Sequence, residues 1–111
     1  MAAKANIVID QGANLLFTVI VTDVDGIALD LTGYTGAAKM RKEYTSSNAA
    51  ATFTVVITAG DGQVDLSLTA VQTANITAGE YVYDCELTKT SSNTTSRIVE
   101  GRATVTPEVT R

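Results

Sequence analysis

Between Gly79 and Thr88 the chain reads Gly-Glu-Tyr-Val-Tyr-Asp-Cys-Glu-Leu-Thr. Tyr81, Tyr83, Cys85 and Leu87 take alternate positions, and Val82, Asp84, Glu86 and Thr88 take those between. Side chains repeat every two residues along a strand and every 3.6 along a helix. As a helix, this stretch would carry Asp84 and Glu86 into its apolar side, where an unpaired carboxylate is costly. It therefore reads as a strand with one buried face. Two tyrosines on that face mark it as the central strand of a two-layer β fold, and the rest of the chain must pair with it or pack on it.

The same alternation recurs elsewhere. Residues 1–5 read as a loose arm and residues 6–10 as a short first strand. Residues 15–22 turn Leu15, Phe17, Val19 and Val21 inward. Leu16 and Ile20 share the outer side with Thr18 and Thr22, so either a neighbour covers them or they are scattered surface apolar residues. Residues 27–31 read as extended again. Residues 37–43 form a strand with Ala38 and Met40 inward and Lys39, Arg41 and Glu43 outward. The Ser- and Asn-containing stretch 43–51 reads as a loop.

Residues 52–58 place Phe53, Val55 and Ile57 inside, and residues 63–69 place Val64, Leu66 and Leu68 inside. Ala59-Gly60-Asp61-Gly62 joins the two, and its glycines accept the positive φ that hairpins need. An antiparallel hairpin follows. Residues 97–106 turn Val99, Gly101, Ala103 and Val105 to one face, where the two small residues are expected to accommodate Tyr81 or Tyr83 across the core. The helical candidate is 70–76, with Thr69 as its cap and Val71 or Ile76 closing one end of the core. Turns are expected at 23–26, 32–34 and 89–95, and Pro107 ends ladder pairing. Seven to eight short strands at this spacing predict an all-β antiparallel sandwich or small barrel, as a single domain over 1–111.

Chemistry is sparse. The chain has no histidine, one cysteine and a net charge of −4. Without histidine the usual general base near neutral pH is missing. Cys85 has no disulfide partner and falls on the inner face, as a small buried hydrophobe. The acidic balance disfavours nucleic acid and anionic membrane surfaces. No eighteen-residue apolar run is present, which predicts no membrane span. The opening Met-Ala-Ala-Lys-Ala lacks an apolar h-region, which reads as a protein made and kept without secretion. Asp23-Val24-Asp25-Gly26 matches the opening of a calcium loop, but Ile and Ala follow where oxygen ligands belong, so a turn is expected.

Glu80, Asp84 and Glu86 read as a solvated face with partners among Lys89, Arg97 and Arg102. Asp65, with Asp84 and Glu86, points outward, so no catalytic cleft is expected. Asp30 is a candidate partner for the bases of strand 37–43. Lys39, Arg41 and Lys42 form the densest basic cluster, either a partner-binding edge or ordinary charged surface. Asn75-Ile76-Thr77 and Asn93-Thr94-Thr95 match glycan acceptor spacing and read as accidents of a Thr-rich chain.

Several segments together carry a family resemblance: Ile7-Val8-Ile9-Asp10-Gln11-Gly12; Phe17-Thr18-Val19 leading to Asp23-Val24-Asp25-Gly26; Leu29-Asp30-Leu31-Thr32-Gly33-Tyr34; Lys39-Met40-Arg41-Lys42; Ala78 to Asp84; and Glu100 to Val105. In these the chain resembles small virion proteins of tailed bacteriophages, especially tail, baseplate or neck accessory modules. It is similar to the immunoglobulin-like N-terminal modules of baseplate proteins. The resemblance covers most of the chain and rests on structural motifs.

It implies an immunoglobulin-like β-sandwich that docks to other virion proteins, with no enzyme activity and no cofactor. It also implies assembly into the virion after synthesis in the host cytoplasm, with a homo-oligomer among the arrangements open. Baseplate relatives carry a further C-terminal region, so capsid decoration, neck and baseplate all stay open. The candidate docking residues are Leu16, Ile20, Lys39, Arg41 and Lys42. The alternative is a carbohydrate- or host-surface-binding module, for which Tyr34 and Tyr44 would have to line one groove.

Overall fold

Two sheets face each other across one apolar core in the computed structural model, which describes residues 3–110. Nine strands occur among the described residues: β1 (Ala3–Lys4), β2 (Ile7–Asp10), β3 (Leu15–Ile20), β4 (Tyr34–Arg41), β5 (Ala51–Thr52), β6 (Thr54–Thr58), β7 (Gln63–Leu68), β8 (Gly79–Lys89) and β9 (Thr94–Thr106). Sheet A runs β1-β9-β8-β4-β5, with β2 also on β9, and sheet B runs β3-β7-β6. A short 3-10 turn, Ala59–Asp61, joins β6 to β7, and a short α-helix, α1 (Ala70–Ala74), follows β7.

Strand β8 lies between β4 and β9, and all four of its inner side chains are buried. Tyr81 stands opposite Ala103 and Tyr83 opposite Gly101, so the small residues of β9 make room for the two rings. From sheet B, Phe17 meets the Tyr83 ring edge-on at 6.3 Å. Phe53 meets it at 6.1 Å. The β8–β9 register shifts at Cys85/Glu86: Cys85 faces Val99 and Glu86 faces Arg97, leaving Ile98 as the extra residue of a bulge. Ile98, expected on the outer side, is half-buried against the core as a result.

The pairing is not purely antiparallel, contrary to expectation. Both β1 and β2 run parallel to β9. The free side of β9 would otherwise expose unpaired N–H and C=O groups, and the N-terminal segment fills it. Residues 3–5 are thus part of the sheet rather than a loose arm; residues 1 and 2 lie outside the described region. Between β1 and β2 the Ala5 N–H donates to the Glu100 carbonyl at 2.9 Å. One step on, the Asn6 side-chain oxygen accepts from the Arg102 N–H at 3.1 Å, standing in for a missing backbone partner. The Tyr83 hydroxyl donates to the Ala5 carbonyl at 2.6 Å.

Three other expectations shift. Residues 52–58 alternate without interruption, yet the chain changes sheets at Phe53: β5 pairs with β4 and β6 with β7. Strand 15–22 stops at Ile20, and residues 27–31 make only a single bridge, Thr22 to Ala28. Leu31 is nonetheless fully buried, held by its N–H to the Ala59 carbonyl at 3.0 Å. The strand expected at 37–43 spans Tyr34–Arg41, which takes in Tyr34 and leaves Glu43 outside.

Helix α1 forms where expected. Thr69 and Gln72 bond reciprocally, 3.2 Å from the Gln72 N–H to the Thr69 hydroxyl and 2.8 Å from the Thr69 N–H to the Gln72 amide oxygen. That capping box holds a helix too short to persist alone. Ile76 is the residue that closes the core, while Val71 is exposed. Buried Thr73 ties the helix to the β2–β3 connection: its hydroxyl donates to the Ala13 carbonyl at 2.9 Å and accepts from the Gly12 N–H at 3.0 Å. Thr73→Val keeps the shape and strands both backbone groups. It is expected to cost about 1–3 kcal/mol, read as a lower urea midpoint with unchanged slope.

Candidate docking surfaces

The outer face of sheet A is a charged lattice set by strand register. Across β4, β8 and β9 it reads Ala37–Glu86–Arg97, then Lys39–Asp84–Glu100, then Arg41–Val82–Arg102. Arg97 binds Asp84 at 3.2 Å and Glu100 at 3.5 Å. Arg102 approaches Glu80 at 3.8 Å. Two of the three expected bases thus pair with this carboxylate face; Lys89 does not. Such exposed pairs contribute little to stability. Their effect is to neutralise most of the face, which leaves Lys39 and Glu86 without ion-pair partners among the described residues.

The loop after β4 folds back over this lattice. Arg41 donates to the Ser46 carbonyl at 3.2 Å, and the Ser46 hydroxyl accepts from the Glu43 N–H at 3.1 Å. These bonds place Tyr44, 72% exposed, beside a groove of about 400 Å³. Val82 and Ala37 line it with Lys39, Arg41 and Glu86. Arg41, expected fully outward, is half-buried because it holds the loop. Lys42 lies over the Tyr81 ring at 4.9 Å rather than in the groove. Tyr34 is half-buried against the core at the other end of β4. Seven residues separate Tyr34 from Arg41, about 23 Å at the strand rise, so the two tyrosines do not line one groove.

The outer face of sheet B is different in kind. Leu16 is 69% exposed, Ile20 51% and Val56 53%. Asp65 stands between Thr18 and Val56 in the ladder and accepts from the Thr18 hydroxyl at 2.7 Å. The outer edge of β3 has no strand partner among the described residues. Between that edge and β1 lies a second cleft, of about 320 Å³, where Ile20 meets Val19, Val21 and Ile98.

The structure therefore separates the five candidate residues into two surfaces on opposite sheets. Leu16 and Ile20 lie on sheet B; Lys39 and Arg41 lie on sheet A, with Lys42 just beyond it. Val56 is exposed on the same side of sheet B, beyond Asp65 on β6, and its outward place was readable from the alternation of 52–58. The groove was not readable, because the Arg41–Ser46 bond that shapes it is a tertiary choice.

Asp30 and Asp23 are satisfied within their own turns. Asp30 does not reach a base; it accepts from the Thr32 hydroxyl at 2.6 Å and the Thr32 N–H at 3.0 Å, and these bonds hold its carboxyl below the ordinary range. Asp23 spends one oxygen on the Asp25 and Ile27 N–H groups, which closes the turn.

In the core, burial pushes the Tyr83 hydroxyl up to about 12, with Cys85 adding to it. Burial, then the charges of Asp84 and Glu86, push the Cys85 thiol up to about 12. The unfolded chain releases these protons near 8.5 and 10, while the native chain holds them to about 12. Both groups therefore contribute stability that is whole below about pH 8.5 and drains away as pH rises towards 12. A urea midpoint that falls steadily over that alkaline range is the expected result, and a flat one would contradict it. A thiol so protected is also expected to resist alkylation at pH 8 until urea unfolds the chain.

Among known proteins, no family model matches the chain and no curated protein is significantly similar to it. What stands is a mostly β protein of two sheets with mixed strand order and two chemically distinct outer faces.

Proposed function

We propose that this chain is a non-catalytic structural subunit of a bacteriophage particle that docks to other virion proteins, and that its two sheets form an immunoglobulin-like sandwich. The observation that carries the docking reading is the exposure of Leu16 and Ile20 on β3, a strand whose outer edge has no strand partner among the described residues. Exposed apolar side chains on a strand with free backbone donors and acceptors favour association by contact and by strand addition. The phage setting rests on the sequence resemblance, and place in the tail, baseplate, neck or capsid is left open by it.

The test is capture of dissociated particle proteins on the immobilised chain. The parent is expected to retain a virion protein, and Leu16→Ser with Ile20→Ser is expected to reduce capture about tenfold or more. A parent that retains none retires the reading. The alternative, a carbohydrate- or host-surface-binding module, has Tyr44 and its groove in its favour. It lacks the second ring, since Tyr34 sits elsewhere. Saturable retention on immobilised glycans, lost on Tyr44→Ser, would favour it instead.

A further inference from the structure

The charges of this protein are sorted between its sheets. The segments that build sheet B and its connections, 11–33 and 53–78, contain Asp23, Asp25, Asp30, Asp61 and Asp65 and no Lys or Arg. All eight basic residues belong to the remaining segments. The acidic half also carries an unexplained projection. In the turn at 23–27, Val24 is fully exposed and Ile27 is 63% exposed. The tip is nevertheless stiff: the Asp23 N–H donates to the Ile27 carbonyl at 2.8 Å, and the Asp23 carboxylate accepts from two N–H groups of the same turn. An apolar knob flanked by carboxylates and held in one shape loses little entropy on docking.

The opposite sheet offers the complement. The groove beside Tyr44 has Val82 and Ala37 for an apolar side chain and Lys39 and Arg41 at its side. Asp84 is neutralised by Arg97, so Glu86 is the remaining opposing charge. Turn and groove lie on different sheets, because residues 21–29 pack on the Gly62 backbone at the end of sheet B.

We infer that the 23–27 turn of one copy docks into the Tyr44 groove of a second copy, with Val24 against Val82 and Asp25 facing Lys39. The inference rests on the structural-subunit reading and names a partner for it. The contact joins two different patches, so it is heterologous and propagates into a closed ring or a filament. It is small and charge-steered, so it is salt-sensitive.

Sedimentation velocity over a wide concentration range tests it. The parent is expected to self-associate at low salt and to dissociate at 1 M salt, where the screening length is about 3 Å. Asp25 and Lys39 are exposed and their side chains hold nothing else in place, so reversing them leaves the fold intact. Asp25→Lys and Lys39→Glu are each expected to weaken association roughly tenfold. Both reversals in one chain are expected to restore it, a recovery that mere loss of charge would not produce. A parent that stays monomeric, or associates equally well with either reversal, overturns the inference. In that case the capture experiment decides separately: a monomer that still retains another virion protein keeps the docking reading, and one that retains none ends both.

Discussion

Gly101→Ala is expected to dislodge the N-terminal strand. A Cβ on Gly101 would run into the Ala5 carbonyl oxygen and lie 2.7 Å from its carbon and 3.2 Å from the Asn6 side-chain oxygen. The obstacle is mainly backbone, which cannot rotate aside as a flexible side chain does. Residues 5 and 6 must lift, and with them go the Ala5–Glu100 and Asn6–Arg102 bonds and the acceptor of the Tyr83 hydroxyl. Overpacking costs about 1–3 kcal/mol and a stranded buried hydroxyl about 1–3 more. Lifting residues 5 and 6 relieves part of the overpacking, so the two costs do not add in full; the expected loss is about 2–4 kcal/mol, or a melting point lower by roughly 10–15 °C. Hydrogen exchange should show where it falls: the amides of β2 lose protection while those of the β3–β7 pair keep theirs. A variant as stable as the parent would mean that Ala5 does not sit over β9.

Tyr83→Ala is expected to be worse. The ring is the point where the sheets meet, with Phe17 of sheet B and Phe53 of the crossing between the sheets packed edge-on against it. Its removal empties the core between the sheets, at a cost of about 3–5 kcal/mol. Chemical unfolding should start at markedly lower urea, and a parent at the low end of the usual margin of about 5–15 kcal/mol would be left with little or none. Tyr83→Phe separates the two roles of this residue. It keeps both ring contacts and drops only the hydroxyl that reaches Ala5, for about 1 kcal/mol. Equal losses in the two variants would show that the bond to Ala5, not the packing, carries the effect.

Tyr83 also shows how far the linear pattern reached. Its burial, and that of Tyr81, Cys85 and Leu87, follows from alternation alone, whereas Gly101 and Ala103, expected across the core from the tyrosines, stand beside them in the same sheet because the register of β8 and β9 put them there. The hairpin of β6 and β7 and the cap of α1 were likewise legible, because turn residues and caps act within a few positions of themselves. The failures share a cause. Ala3 and Lys4 have no apolar pattern, and they join the sheet through backbone groups that every residue possesses. Phe53 sits in an unbroken alternation, which is compatible with one strand or with two strands in different sheets. Ile98 lost its predicted face because a bulge resets the phase, and the need for a bulge arises only once β8 lies alongside.

The candidate surfaces divide in the same way. That Leu16, Ile20 and Val56 point away from the core is a property of strand phase. That they share one open face, while Lys39 and Arg41 share a groove with Tyr44 on the other sheet, depended on which strands became neighbours.

Order along the chain was thus enough to decide which side chains turn inward, where the backbone reverses, and that no imidazole stands anywhere in the protein. Three-dimensional pairing decided the direction of the N-terminal strands, the handover at Phe53, and the separation of Leu16 and Ile20 from Lys39 and Arg41 onto different sheets. Periodicity belongs to a segment and survives in isolation. The choice of neighbour is made by backbone groups common to all residues, and it settles only when the whole core closes.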